Sequence, residues 1–241
     1  MAAHIALEES GEKYEARRLD LSKGEQKAPD YMKIHPLGRV PALKLDEGAP
    51  LTENTAILPF LGKRFGLWPT DPVKEAQALS LIGFFASSVH PAHAHIGRPE
   101  RYTEEKSALP GIQAMAKKTF QDYLKQIDGM YAGREWLSDQ YSVLDPYAFV
   151  FYTWGFRRGL PVSELKSYTA LKDRMLKRPA VQRVVEHDRG PRGDGVDRLG
   201  AEPPDHEGAR GQRQERHQQE LEQRAHARSL PPLRGPSVRS R

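Results

Sequence analysis

At 241 residues, with no cysteine and a formal charge of +5, the chain can bury one large or two modest cores, and disulfides, cysteine metal sites and a cysteine nucleophile within it are excluded. Its longest apolar runs, 79–86 and 147–156, are too short and too interrupted to span a bilayer. The basic pI near 9.3 does not point to nucleic acid, because all fourteen lysines precede residue 178 and are mixed with acids.

In chain order, Met1 leads directly into the amphipathic AAHIALEES, which predicts an opening helix rather than a signal peptide, so a cytoplasmic location is expected. Residues 14–21 read as a strand and 42–45 as a short apolar one. Val40-Pro41 stands where a buried turn enters that second strand, a common place for a cis proline. Asp46-Glu47-Gly48 turns the chain back into Leu51. Thr52-Glu53-Asn54 then falls where a strand ends and a helix begins, so free N–H groups, a carboxylate and a cap-forming amide converge. A small zwitterion fits such a spot. Glu53 would meet its α-ammonium in a charge-assisted hydrogen bond, and the helix N-terminus would attract the neighbouring α-carboxylate. Taken alone, Glu53 and Asn54 read as a plain helix cap; joined to Val40-Pro41 and the turn, they read as a ligand site.

Beyond Asp71 the pattern is helical throughout. Asp71-Pro72 opens a helix whose apolar spacing runs over 73–89. A second helix covers 103–131, with the Leu-Pro-Gly at 109–111 dividing it or delaying its start. In Ser142-Val143-Leu144-Asp145 the serine caps and Asp145 reaches back, a box whose loss would cost on the order of 1 kcal/mol or more. Tyr147, Phe149, Phe151, Tyr152 and Trp154 read as core packing rather than a platform for bases. A further helix is expected over 163–177, followed by Arg178-Pro179-Ala180-Val181. His90 and His93 could share a helical face, but Pro91 disturbs it and no carboxylate completes a set with His95, so no metal is expected there. From His187 onward there is no Lys, Phe, Tyr, Trp, Ile or Met, which predicts a disordered tail with weak helicity at 212–228.

The segment HPLGRVPALKLDEGAPLTENTAI, residues 35–57, resembles the glutathione transferase superfamily and is spelled most like its bacterial beta-like members. The resemblance implies an α/β plus all-α fold: an incomplete thioredoxin-like domain at 1–67 lacking its first strand, and a helical-bundle C-terminal domain at 71–186. The tail at 187–241 lies beyond the resemblance. It also implies site residues. Val40 would offer its backbone to the cysteinyl unit of glutathione with Pro41 as geometric lock, Glu53 and Asn54 would hold the γ-glutamyl end, and Lys23 the glycine carboxylate. His90 would lie near the sulfur as the catalytic group, with Ser87 as a further glutathione contact, while Phe84, Phe85 and His93 would line the cleft for a hydrophobic electrophile. The Ser142 and Asp145 box matches one that the family keeps as a structural cap. Departures are Asn54 where the family has Ser or Thr, Pro91 where relatives often have Lys, and Gly83 at an asparagine position.

The family's catalytic Ser, Cys or Tyr would precede Met1, and its first strand would lie between 14–21 and 42–45, so both neighbours would lose ladder partners. A truncated or degenerated gene is therefore expected. The implied function is conjugation of the glutathione thiolate to hydrophobic electrophiles by a homodimer, with glutathione as co-substrate and no metal, nucleic acid or membrane partner. The alternative is a non-catalytic glutathione-binding or interaction protein on the same scaffold. The switch to Arg alone after residue 187 motivates an out-of-frame reading of the tail. Resequencing the gene at codons 185–187 checks it: a frame shift there is what that reading requires, and an uninterrupted frame ends the idea and leaves the disordered tail.

Overall fold

The first helix, α1 (Ala2–Ser10), buries Ala2, Ile5 and Ala6 and stops at Gly11, whose φ of 69° a glycine adopts without strain. It belongs to a computed structural model that describes residues 1–188. The expected disordered or out-of-frame tail, His187 and Asp188 apart, lies outside them. After α1 the expected strand at 14–21 is not formed. Those residues carry no ladder, because a strand exists only as one half of a pair and no described segment lies alongside to supply the other half. Helix α2 (Pro29–Ile34) leads to the Val40-Pro41 peptide, which is cis as the sequence suggested.

The sheet is small. Strand β1 (Ala42–Leu43) pairs antiparallel with β2 (Leu51–Thr52), Ala42 opposite Thr52 and Leu43 opposite Leu51. Helix α3 (Asn54–Arg64) follows at once and buries Ile57, Leu58 and Leu61, the i, i+1, i+4 spacing that aims one helical face at the core.

Helix α4 (Pro72–Phe84) opens on Asp71, whose carboxylate accepts from the Val73 and Lys74 amides at 3.1 and 2.9 Å. The single helix expected over 73–89 is interrupted. A π turn at Phe85–Val89 precedes α5 (His90–Gly97), and the His90 N–H reaches back to the Phe85 carbonyl. Pro91 has no N–H to give the ladder, and the wider turn accommodates the loss. Helix α6 (Leu109–Met130) begins at the Leu-Pro-Gly, which thus delays the helix rather than dividing it. Helices α7 (Leu144–Arg157), α8 (Lys166–Leu176) and α9 (Pro179–His187) complete the bundle. Ile5, Ile57, Leu58, Phe85, Phe120, Phe149, Phe151 and Tyr168 join in one core, so the thioredoxin-like and helical parts are packed against each other through apolar side chains. Each such residue contributes roughly 1.5–3 kcal/mol of burial.

Asp145 does more than close a cap. It is fully buried, and Oδ1 accepts from the Tyr131 hydroxyl at 2.9 Å and the Leu137 amide at 3.0 Å. Oδ2 accepts from the Ser142 amide at 3.0 Å and its hydroxyl at 3.3 Å. Burial pushes the carboxyl up to about 6, with the hydrogen bonds pulling against it. One side chain thus ties the end of α6, the following loop and the start of α7. Asp145→Ala strands those buried donors and should lower stability by on the order of 3 kcal/mol, against about 1 kcal/mol for Ser142→Ala, in urea unfolding. Equal losses for the two would reduce Asp145 to a cap.

Candidate glutathione site

The chain passes from β2 into α3 through Glu53, which stands at φ 66°, ψ 131°, the one positive φ outside glycine among the described residues. Such a backbone costs an L-residue on the order of 1–3 kcal/mol and persists only where its surroundings impose it. The Glu53 carbonyl accepts from the Ala56 and Ile57 amides at 3.0 and 2.9 Å, which fixes it as the N-cap of α3. Its side chain makes no cap hydrogen bond and is exposed. Next to it, the Asn54 Oδ1 is enclosed with no protein partner. Tyr147, on α7, faces the same place. Burial pushes its phenol up to about 12, the Asn54 amide pulls it back and the Glu53 carboxylate adds to the rise.

The paired residues Ala42 and Thr52 stand directly after Pro41 and directly before Glu53, so the hairpin puts the Val40-Pro41 peptide and the Glu53-Asn54 junction at the same end of the sheet. His90 reaches the same electrostatic neighbourhood. Burial is the first cause of its lowered pKa, with Arg98 and Arg39 lowering it further and Glu53 opposing them. Its imidazole therefore stays neutral near pH 7, and its ring meets Trp154 edge-on at 4.9 Å.

Other expected residues are placed elsewhere. Lys23 sits in an exposed loop with Nζ 3.8 Å from Asp20, and no described contact joins it to the four. Ser87 donates to the Gly83 carbonyl of its own helix at 2.8 Å. Phe84 is half-buried and meets Tyr123 edge-on at 5.5 Å. Phe85 is not a cleft residue: it is 0% exposed, wedged against Tyr147 and Phe151, because it continues the buried helical face of Ala78 and Ile82. His93 is also turned inward. It stacks on Trp154 at 4.3 Å, touches Phe120 and accepts from Arg158 Nε at 3.3 Å. His95 pairs with the Pro91 carbonyl and stacks on Tyr102, apart from His90 and His93, which both pack on Trp154. A cavity of about 510 Å³ opens between α4 and residues 134–139, lined by Lys74, Leu81, Trp136 and Leu144, and contains none of the expected cleft residues.

Sequence reasoning missed Tyr147, Arg39 and Arg98 as members of this neighbourhood. Tyr147 carried a signal: a phenol inside a buried aromatic run needs a polar partner, and here it meets Asn54.

The fold has counterparts among known proteins. The glutathione S-transferase N-terminal domain family matches residues 1–63. A glutathione transferase homologue from Sulfitobacter, solved with bound glutathione, is 33% identical with a TM-score of 0.73, over 77% of this chain and 91% of that one. The bacterial beta-class glutathione S-transferase of Sphingomonas chungbukensis superposes with a TM-score of 0.68 at 28% identity, over 77% of this chain and 92% of the other. Glutathione S-transferase GstA of Escherichia coli O157:H7 is 29% identical over 188 residues, 76% of this chain and 90% of that protein. The chain belongs to the glutathione S-transferase superfamily.

His93 supplies a test of the packing. Its pKa is lowered to about 3, first by burial and then by Arg158. A depressed histidine contributes stability that is fully present above its unfolded value near 6.5 and is lost progressively as pH falls from there towards 3. NMR titration should find the His93 ring neutral at pH 5, and His93→Phe should flatten the acid side of the stability profile. A His93 midpoint near 6.5 would contradict the burial.

Proposed function

We propose that this protein is a glutathione transferase-like enzyme that joins the glutathione thiolate to hydrophobic electrophiles. The observation that carries the proposal is Glu53, held in the left-handed region with a carboxylate that caps nothing. In this reading Glu53 takes the α-ammonium of the γ-glutamyl unit, while the α3 N-terminus and the Asn54 amide take its α-carboxylate. The backbone at Val40, fixed by Pro41, pairs with the cysteinyl unit, and the His90 N–H faces the sulfur. The sulfur attacks the electrophilic carbon as a carbon–sulfur bond forms, the leaving group departs with the electrons of its old bond, and the thiol proton goes to solvent. The protein's contribution is to hold the thiolate in place and lower the cost of forming it from a thiol near pKa 8.5.

Lys23 would have to leave Asp20 to reach the glycine carboxylate. Of the expected cleft residues, Phe84 keeps a partly open face for the electrophile. The chemistry at this site needs no metal. A homodimer in the cytoplasm completes the reading, and no described helix is long and apolar enough to cross a membrane.

A second reading, a glutathione-binding protein without turnover, is favoured by one observation. The hydroxyl that faces Asn54 belongs to Tyr147, which is 2% exposed and strongly disposed to stay protonated, so it is poorly placed to activate a thiol. Retention on immobilised glutathione together with turnover of 1-chloro-2,4-dinitrobenzene separates the two. Both are expected, and Glu53→Gln should weaken glutathione binding about tenfold or more through loss of the charge-assisted bond, with the thermal midpoint unchanged or raised. Retention without turnover selects the binding protein, and neither property in folded protein overturns both.

A further inference from the structure

Helices α1 and α9 lie against each other along a seam closed by ion pairs. Arg178 grips Glu9 with Nε–Oε1 at 2.6 Å and Nη2–Oε2 at 3.0 Å, and Arg183 pairs with Glu8. At one end of that seam three side chains of metal-ligating type converge: His4 in the first turn of α1, His187 at the last residue of α9 and Asp188 at its C-cap.

The distances suit an ion. Asp188 Oδ1 is 3.8 Å from His4 Nδ1 and 3.4 Å from His187 Nδ1. One ligand atom from each residue lies within 4.8 Å of the other two. Metal–ligand bonds of roughly 2.0–2.1 Å place the corners of a tetrahedral site about 3.3 Å apart, so the closer pair already fits and the widest needs a shift of about 1.5 Å. The His187 side chain, 42% exposed at the helix end, has room to make it. The two imidazoles stand nearly perpendicular, at 89° with centroids 4.9 Å apart, so they converge edge to face rather than stacking.

The simpler account is a carboxylate hydrogen-bonded by two histidines. His187 Nδ1 does make a long hydrogen bond to Oδ1 at 3.4 Å, but His4 Nδ1 at 3.8 Å lies beyond hydrogen-bond reach, so that account leaves the His4 nitrogen unused. Tyr14 backs the site from the other side, its ring edge-on to His4 at 5.6 Å and its hydroxyl held by Glu8, which fixes the His4 ring.

We propose that His4, His187 and Asp188 form a three-ligand site for a divalent transition-metal ion that clamps α1 to α9. Two imidazoles and one carboxylate favour zinc and its first-row neighbours over magnesium or calcium, and solvent reaches the fourth position past Asp188, whose side chain is 27% exposed. The site lies apart from Glu53 and Asn54 and does not rest on the glutathione reading.

The test is isothermal titration of untagged, chelator-treated full-length chain with zinc chloride, with thermal unfolding in the presence and absence of zinc. About one equivalent should bind at this site, and zinc at a hundred times its dissociation constant should raise the folded-to-unfolded ratio about a hundredfold. His4→Gln and Asp188→Asn should each weaken binding at least tenfold, His95→Gln should leave it unchanged, and magnesium should not substitute. No zinc-dependent stabilisation, or the same stabilisation in folded His4→Gln and Asp188→Asn, overturns the site. Should either variant fail to fold, cobalt spectra of the unaltered chain decide: intense tetrahedral-type visible bands support the site, and only the faint bands of a hydrated ion overturn it.

Discussion

The positive-φ backbone at Glu53 is the constraint on which the rest of the proposed glutathione site depends. It lets the chain leave β2 and enter α3 without an intervening loop, so the positive end of α3, the Glu53 carboxylate and the Asn54 amide arrive together. Its cost of about 1–3 kcal/mol is smaller than what holds it in place. Ile57, Leu58 and Leu61 of the same helix are essentially buried, and at roughly 1.5–3 kcal/mol each they outweigh the strain. The core therefore imposes the conformation, and the carboxylate is left free for a ligand.

Electrostatics divide the neighbouring histidines by role. His90 is kept neutral by burial and two arginines against the opposing field of Glu53, which brings it into the electrostatic neighbourhood of the proposed site. His93, three residues on, is enclosed by Trp154, Phe120 and Arg158 and serves packing. The difference arises from the π turn at Phe85–Val89 and the proline at 91, which set the direction of α5. Asp145 gives the bundle side a comparable anchor by satisfying donors from three separate segments.

What the sequence disclosed was mainly local. Val40-Pro41, the turn to Leu51, the Glu53-Asn54 junction and the Ser142–Asp145 box are each written in a few adjacent residues, and all appear where they were read. Residues 14–21 were misread because strand propensity says nothing about whether a partner is present. Phe85 was misplaced although it continues the i, i+4, i+7 face of Ala78 and Ile82, because spacing alone does not tell a core face from a cleft face. Tyr147 was legible only as an aromatic core residue, and its approach to Asn54 depends on packing between α3 and α7. The His4, His187 and Asp188 cluster joins opposite ends of the described chain, a distance at which motif spacing is silent.

The most direct measurement of the central claim is amide chemical-shift mapping of isotopically labelled protein during titration with glutathione. The account predicts saturable shifts confined to the amides around residues 40–43 and 51–56 and to the His90 region, because the ligand lies across the hairpin and the α3 N-terminus. Shifts confined instead to the cavity lined by Lys74 and Trp136, or none at millimolar glutathione, would contradict it.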